Sequence, residues 1–345
     1  MKQKIPAAQT PLRQGAKKNN KVRSLLTIVI VAVILVLIPY LTPDNYVLQI
    51  VNYIGIYIIL GTGINILTGY TGLLSLGQAA FFGIGAYTTA ILNTRLGWQF
   101  LACLGASILI TGLASVILAI PALKVKGPYL ALLTQGFGEI IRIVMINWVP
   151  VTNGTSGILR IKSPVIFGFA FDDKIKYYYL IMFFAVLGLL YQRVLMRSRT
   201  GRAFIAIRED NEAAELTGIN VTTYKIRSFV LSSVYCAVAG TLYAMTVRYV
   251  SPDSFTNNTS SVILWTAIVG GFGTLVGPII GGIIMQTLPE LLRFADQWRL
   301  VIHGVILLIV ILRFPGGLYP YLQKLINLVK GLLKKKTPVT VEGKE

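Results

Sequence analysis

Glu139 and Arg142 stand three residues apart inside an otherwise apolar run over 129–148. On a helix that spacing puts both on one face. Charge at membrane depth serves either as a polar contact on a translocation path or as a self-neutralised pair that stabilises packing. The residues favour the pair, because pairing removes the cost of a lone charge; the other reading keeps Glu139 as a candidate pathway residue. A proton- or sodium-driven carrier would show several buried carboxylates, and the apolar runs offer one, already near an arginine. Other chemistry lacks its residues. The chain carries no Gly-x-x-x-x-Gly-Lys-Ser/Thr phosphate loop, no His-Glu-x-x-His helix and no Gly-x-Ser-x-Gly elbow. His303 is the sole histidine, and Cys103 and Cys236 sit in apolar runs as small core hydrophobes. The expectation is a protein that is not an enzyme, with no catalytic, metal or cofactor site of its own.

Uncharged polar residues gather in one glycine-rich stretch, Gly69-Tyr-Thr-Gly-Leu-Leu-Ser-Leu-Gly-Gln78. Apolar runs flank it at 46–67 and 79–92. Non-helical backbone is tolerated at membrane depth only where protein or water covers it, and carriers place pathways at such interruptions. Thr71, Ser75 and Gln78 are therefore candidate pathway contacts, uncharged and polar. Close helix packing through the glycines is the competing reading. The next helix is expected to begin near Gln78, pointing its positive end at this stretch.

The elements that hold these residues are membrane spans. Of 345 residues 54% are hydrophobic and 13% charged, against roughly 25% charged in soluble domains; mean hydropathy is +0.70. The fold class is an all-α, polytopic transmembrane helical bundle of about ten spans, some discontinuous. Spans are expected at 24–41, 46–67, 79–93, 99–120, 129–148, 177–196 and 226–247. The run 260–290 splits at Gly270-Gly-Phe-Gly273 into two, and the last span is 300–314. A signal peptide is rejected at the first span: the run is too long and lacks a small-x-small cleavage site.

The net charge of +19 would suggest nucleic acid in a soluble protein. Here the basic residues cluster as the positive-inside rule expects, and no nucleic-acid motif accompanies them. Residues 1–23 form a basic cytoplasmic segment, 24–317 the membrane domain, and 318–345 a basic cytoplasmic tail. Residues 121–128 and 197–225 belong on the same side, with 149–176 and 250–259 outside. The cluster Arg160, Lys162, Lys174 and Lys176 sits against that outside placement. Gly69, Gly72 and Leu74 match Gly270, Gly273 and Leu275 at one constant spacing, a faint internal repeat.

The polar segment 197–225 is the longest between later spans. Residues 203–217 are expected to form one short helix ended by Gly218 in the left-handed conformation, with Arg208 and Glu212 paired at i, i+4. Phe204, Ile207 and Leu216 are apolar among charges. Either this is a solvated amphipathic connector, or Phe204 and Ile207 are exposed anchors of a docking surface.

Together, Gly69 to Tyr87 and Ser198 to Asn220 resemble the membrane subunit of branched-chain amino-acid ABC importers. Gly127 to Thr134, Phe137 to Arg142, the Gly154–Gly157 turn, Val269 to Gly273 and Arg313 to Gly317 agree with that family, in order, from about residue 45 to 318. The resemblance implies the pore of an importer in a prokaryotic plasma (inner) membrane, crossed many times, with both termini cytoplasmic. Its implied partners are a second related permease, two ATPase subunits that use the ATP, an external solute-binding protein and the lipid bilayer. Glu212, Ala213, Ala214 and Gly218 match the family's ATPase-docking loop. Urea, amides and other small polar solutes are alternative cargoes; a secondary transporter or channel is the alternative of a different class.

Overall fold

The computed structural model describes residues 39, 44–125, 127–166, 168–314 and 316–324. The expected basic segment 1–23, the first span (Pro39 apart) and the lysines beyond 324 lie outside the described residues. The chain divides into two units, Met1–Leu48 and Gln49–Glu345. What is described of the first unit is Pro39 and a helix start, where Tyr46 N donates to Asp44 Oδ1 at 2.9 Å.

The fold is helical. α1 is Asn45–Ile64, continued as a π-helical turn over Asn65–Tyr70; α2 is Gln78–Leu96, α3 Phe100–Ala122 and α4 Pro128–Asn147. α5 is Lys174–Arg197, α6 Arg199–Glu209, α7 Asn211–Leu216 and α8 Val221–Val247. α9 is Asn257–Gly270, α10 Gly277–Leu291 and α11 Arg299–Arg313. Among the described residues, five helical stretches are long and apolar enough to cross a membrane: 45–70, 100–122, 128–147, 174–197 and 221–247. The run 260–290 does divide at its glycines. Its halves α9 and α10 have 14 and 15 residues, about 21 Å each at 1.5 Å per residue, short of the ~30 Å hydrocarbon core. Each is therefore a short helix rather than a full straight span.

Local chemistry sets the helix ends. α2 stops at Gly97 in the left-handed conformation with Arg95 in its last turn. α4 starts with Pro128 at its first position, where the missing N–H costs nothing. The Asn220 side chain accepts from Thr223 N at 3.0 Å and caps α8.

The core forms where α8 packs on α2 and α3. Lipid gives little drive for apolar helices to associate, so close backbone approach and polar contacts must supply it. Glycines permit the approach: a Cβ on Gly85 would meet Ala237 Cα at 2.7 Å, and one on Gly240 would meet Ala86 N at 2.7 Å. The polar contact is a buried hydroxyl cluster in which Thr89 Oγ1 lies 2.9 Å from both Ser107 Oγ and Thr241 Oγ1.

At the end of α8 opposite its cap, Ile158–Leu159 (β1) pairs antiparallel with Tyr249–Val250. Arg248 donates there to Ser163 Oγ at 2.7 Å and to the Asp172 carbonyl at 3.3 Å. The loops 149–176 and 248–256 thus form one cap, and Asn220 and Arg248 mark the two ends of a 27-residue helix.

Candidate functional site

The first glycine break runs from Thr71 to Gly77, between the π-helical turn and α2. Four elements hold it. From α4, Thr134 Oγ1 accepts from Leu76 N at 2.9 Å. From α9, Ser260 Oγ accepts from Ala79 N at 2.9 Å, satisfying a donor at the start of α2. From α8, Ser232 Oγ and Cys236 Sγ donate to Gln78 Oε1 at 3.1 and 3.0 Å. From α6, Arg208 Nη1 donates to the Gly69 carbonyl. α2 begins at Gln78, as its sequence predicts.

Thr71, Ser75 and Gln78 are 2%, 0% and 0% exposed. Thr71 Oγ1 donates to the Ile66 carbonyl at 3.0 Å, and Ser75 Oγ accepts from Gly77 N at 3.4 Å. All three side chains sit inside the subunit rather than on an open surface. Packing decides this: Gly77 lets α4 close on the break, where a Cβ would meet the Thr134 carbonyl at 2.6 Å. Gln78 Nε2 has no hydrogen-bond partner among the described residues, so a buried donor stays unused there.

The second break, Gly271 to Val276, joins α9 to α10. The Asn65 side chain ties it to the first: Gly273 N donates to Asn65 Oδ1 at 2.8 Å, and Asn65 Nδ2 donates to the Thr274 carbonyl at 2.8 Å. Asn65 is fully buried, and both ends of its amide serve the other break. Sequence reading missed it, although an Asn in the last turn before a glycine break was a visible signal. The positions paired by the faint repeat share a conformation: Gly72 and Gly273 have φ of 77° and 69°, the left-handed region that favours glycine.

Glu139 keeps the pairing expected of it. Arg142 Nε lies 3.6 Å from Glu139 Oε1, and Asn257 Nδ2 donates to Glu139 Oε2 at 3.3 Å. The carboxylate is satisfied from two helices yet its side chain is 41% exposed, so this face of α4 carries accessible polar atoms.

The polar segment differs from its expected form in two ways. It is two helices rather than one over 203–217. Asp210 is extended, and its carboxylate accepts from Glu212 N at 2.8 Å and Ala213 N at 3.2 Å. An aspartate that caps the following turn competes with continuing the preceding one. Arg208 and Glu212 therefore lie on different helices, and the guanidinium bonds to Gly69 instead. Second, Phe204 and Ile207 are 0% and 1% exposed; they face inward, where Phe204 meets the Tyr224 ring edge-on. They fix α6 to the membrane domain and are not exposed anchors. Ala214 is also buried, whereas Glu212, Ala213 and Gly218 are exposed and Leu216 is 90% exposed. Gly218 ends α7 at φ 82°, with Ile219 N donating to the Ala214 carbonyl at 3.2 Å, the six-residue closure typical of a glycine C-terminus.

The family described as branched-chain amino acid transport system / permease component matches residues 46–312. The high-affinity branched-chain amino acid transport system permease protein LivM of Salmonella typhimurium (strain LT2) is 33% identical over 338 residues, 91% of this chain and 79% of its own length. LivM of Escherichia coli (strain K12) is 33% identical over the same shares. A probable branched-chain amino acid transport permease protein LivM of Methanocaldococcus jannaschii is 22% identical over 79% of this chain. No solved structure matches. The apolar helices and these relatives make the protein an integral membrane protein, and it belongs to the branched-chain amino acid transport system permease family.

Proposed function

We propose that the chain is the pore-forming permease subunit of an ATP-binding-cassette importer for branched-chain amino acids. It works with a second related permease, two ATPase subunits and an external solute-binding protein in the inner membrane of a prokaryote. The observation that carries this reading is 33% identity over 91% of the chain to permeases so named.

The exposed helix α7, with Glu212, Ala213 and Gly218, is the ATPase-facing surface, and Leu216 takes the apolar anchor role expected of Phe204 and Ile207. Exposed apolar surface rimmed by charge suits a docking site. Ala214 sits beneath that surface, where a larger side chain would push α7 off its seat. The Glu139 face of α4 lines the pathway, backed by the break through Thr134. Thr71, Ser75 and Gln78 stay inside the closed break and shape the pathway from behind the Glu139 face of α4. Cargo alternatives such as urea or amides are separated by transport itself.

The test is reconstitution in liposomes with the second permease, ATPase and solute-binding protein of the same organism. ATP-dependent uptake of leucine, isoleucine and valine is expected; uptake of urea or an amide in their place would overturn the cargo, and ATP-independent uptake would overturn the importer. Reporter fusions at residues 155 and 210 should fall on opposite sides of the membrane. The same side for both would break the proposed topology.

A further inference from the structure

Arg208 meets three parts of the fold at once. It lies in the last turn of α6, three residues before Asn211 opens the helix read as the ATPase-facing surface. Its Nη1 donates to the Gly69 carbonyl at the end of the helix that includes α1 and the π-helical turn. It also packs on both breaks: a Cβ on Gly72 would meet Arg208 Cγ at 3.3 Å, and one on Gly273 would meet Arg208 Nη1 at 2.9 Å.

The chemistry at Gly69 explains the cation. A helix C-terminus leaves carbonyls unpaired and carries partial negative charge, which a nearby cation stabilises. The π-helical turn has no basic residue of its own. Neighbouring carbonyls find local partners: Gly72 N donates to Thr68, Leu73 N to Leu67, and Thr71 Oγ1 to Ile66. For Gly69 the donor arrives from α6, 139 residues along the chain. A cap supplied across such a distance ties two elements together, not merely one helix end. Asn65 extends the tie to Gly273 and Thr274. Both glycines beneath the guanidinium adopt the left-handed conformation, so each break brings bare backbone to the same side chain.

We propose that Arg208 is the positioning residue that makes the polar segment and the first break one rigid body, so that displacement of α7 by an ATPase becomes displacement of the break, with the second break yielding against it. The proposal rests on reading the segment as ATPase-facing. Arg208 itself touches neither solute nor nucleotide.

Arg208→Ala and Arg208→Lys in the reconstituted transporter test it, with Glu212→Lys as a docking control. Arg208→Ala is expected to co-purify ATPase and hydrolyse ATP at wild-type levels. Its solute imported per ATP should fall about tenfold or more, the scale set by losing one charge-assisted hydrogen bond. Arg208→Lys, which keeps a donor and the charge, should recover part of that ratio. An unchanged ratio in Arg208→Ala overturns the proposal; so does loss of ATPase co-purification, which would make Arg208 part of the dock. Normal ATPase co-purification in Glu212→Lys would instead strike the docking reading alone.

A second measurement leaves Arg208 intact. Leu74 and Glu209 are exposed on the two joined elements, and the native Cys103 and Cys236 are buried. Spin labels at 74 and 209 should keep one distance in nucleotide-free and ATP-bound transporter. A distance that changes between those states overturns the rigid connection, whatever the alanine variant does.

Discussion

The two glycine breaks share a backbone device but not a setting. Thr71–Gly77 is held from α4, α6, α8 and α9, and its polar side chains are buried. Residues 272–276 are half-buried. Thr274 Oγ1 donates to the Gly271 carbonyl at 2.9 Å and accepts from Gly277 N at 3.0 Å, while Asn65 reaches across from the first break. Segments with fewer buried contacts open at lower free energy. The proposed roles follow from that difference: the first break is a rigid hub carried as one piece with the polar segment, and the second is the hinge that yields against it.

The largest effect is expected where both breaks touch. Gly69→Ala would set a Cβ 2.7 Å from Gly273 N and against the Asn65 amide. Overpacking against backbone costs roughly 3 kcal/mol, so folded yield and thermal stability in detergent should fall sharply. A tolerated alanine would show that the breaks separate freely. Next comes Gln78→Leu, which strands the Ser232 and Cys236 donors in the core. A loss of about 2 kcal/mol is expected for leaving buried polar groups unpaired, read as a lowered Tm; no change would mean that the hub does not depend on this contact.

Much of this architecture was legible in the sequence, and the illegible parts share a cause. The division of 260–290, the start of α2 and the glycine end of α7 follow from local signals at Gly270–Gly273, Gln78 and Gly218. Asp210 was local too: an aspartate two residues before Glu212 is a helix-start signal, obscured by reading 203–217 as one period. The inward face of α6 was not legible. Spacing marks Phe204 and Ile207 as one apolar face, but only the packed structure tells whether that face meets the membrane domain or a partner. The contacts of Arg208 with Gly69 and of Asn65 with Gly273 join residues far apart in the chain, and no periodicity encodes such pairs.

Thr274→Ala sharpens the contrast at smaller cost. It removes both closing bonds of the second break for about 1 kcal/mol, so Tm should shift little while amide exchange at 271–277 speeds up. Unchanged exchange would mean that Thr274 does not hold the hinge. The smallest effect is expected for Gly218→Ala, where φ is 82° but no atom lies within 4 Å of the new Cβ. The left-handed strain of about 1 kcal/mol should fray α7 and weaken ATPase co-purification without lowering the Tm of the membrane domain. A drop in that Tm would mean that α7 belongs to the core.

The most direct test of rigid hub against yielding hinge is amide hydrogen exchange on the reconstituted transporter, with its ATPase partners, in nucleotide-free and ATP-bound states. Exchange at 271–277 should change between the two states while 72–78 stays equally protected in both. Nucleotide-dependent exchange at 72–78, with 271–277 unchanged, would contradict the assignment and make the first break the part that opens.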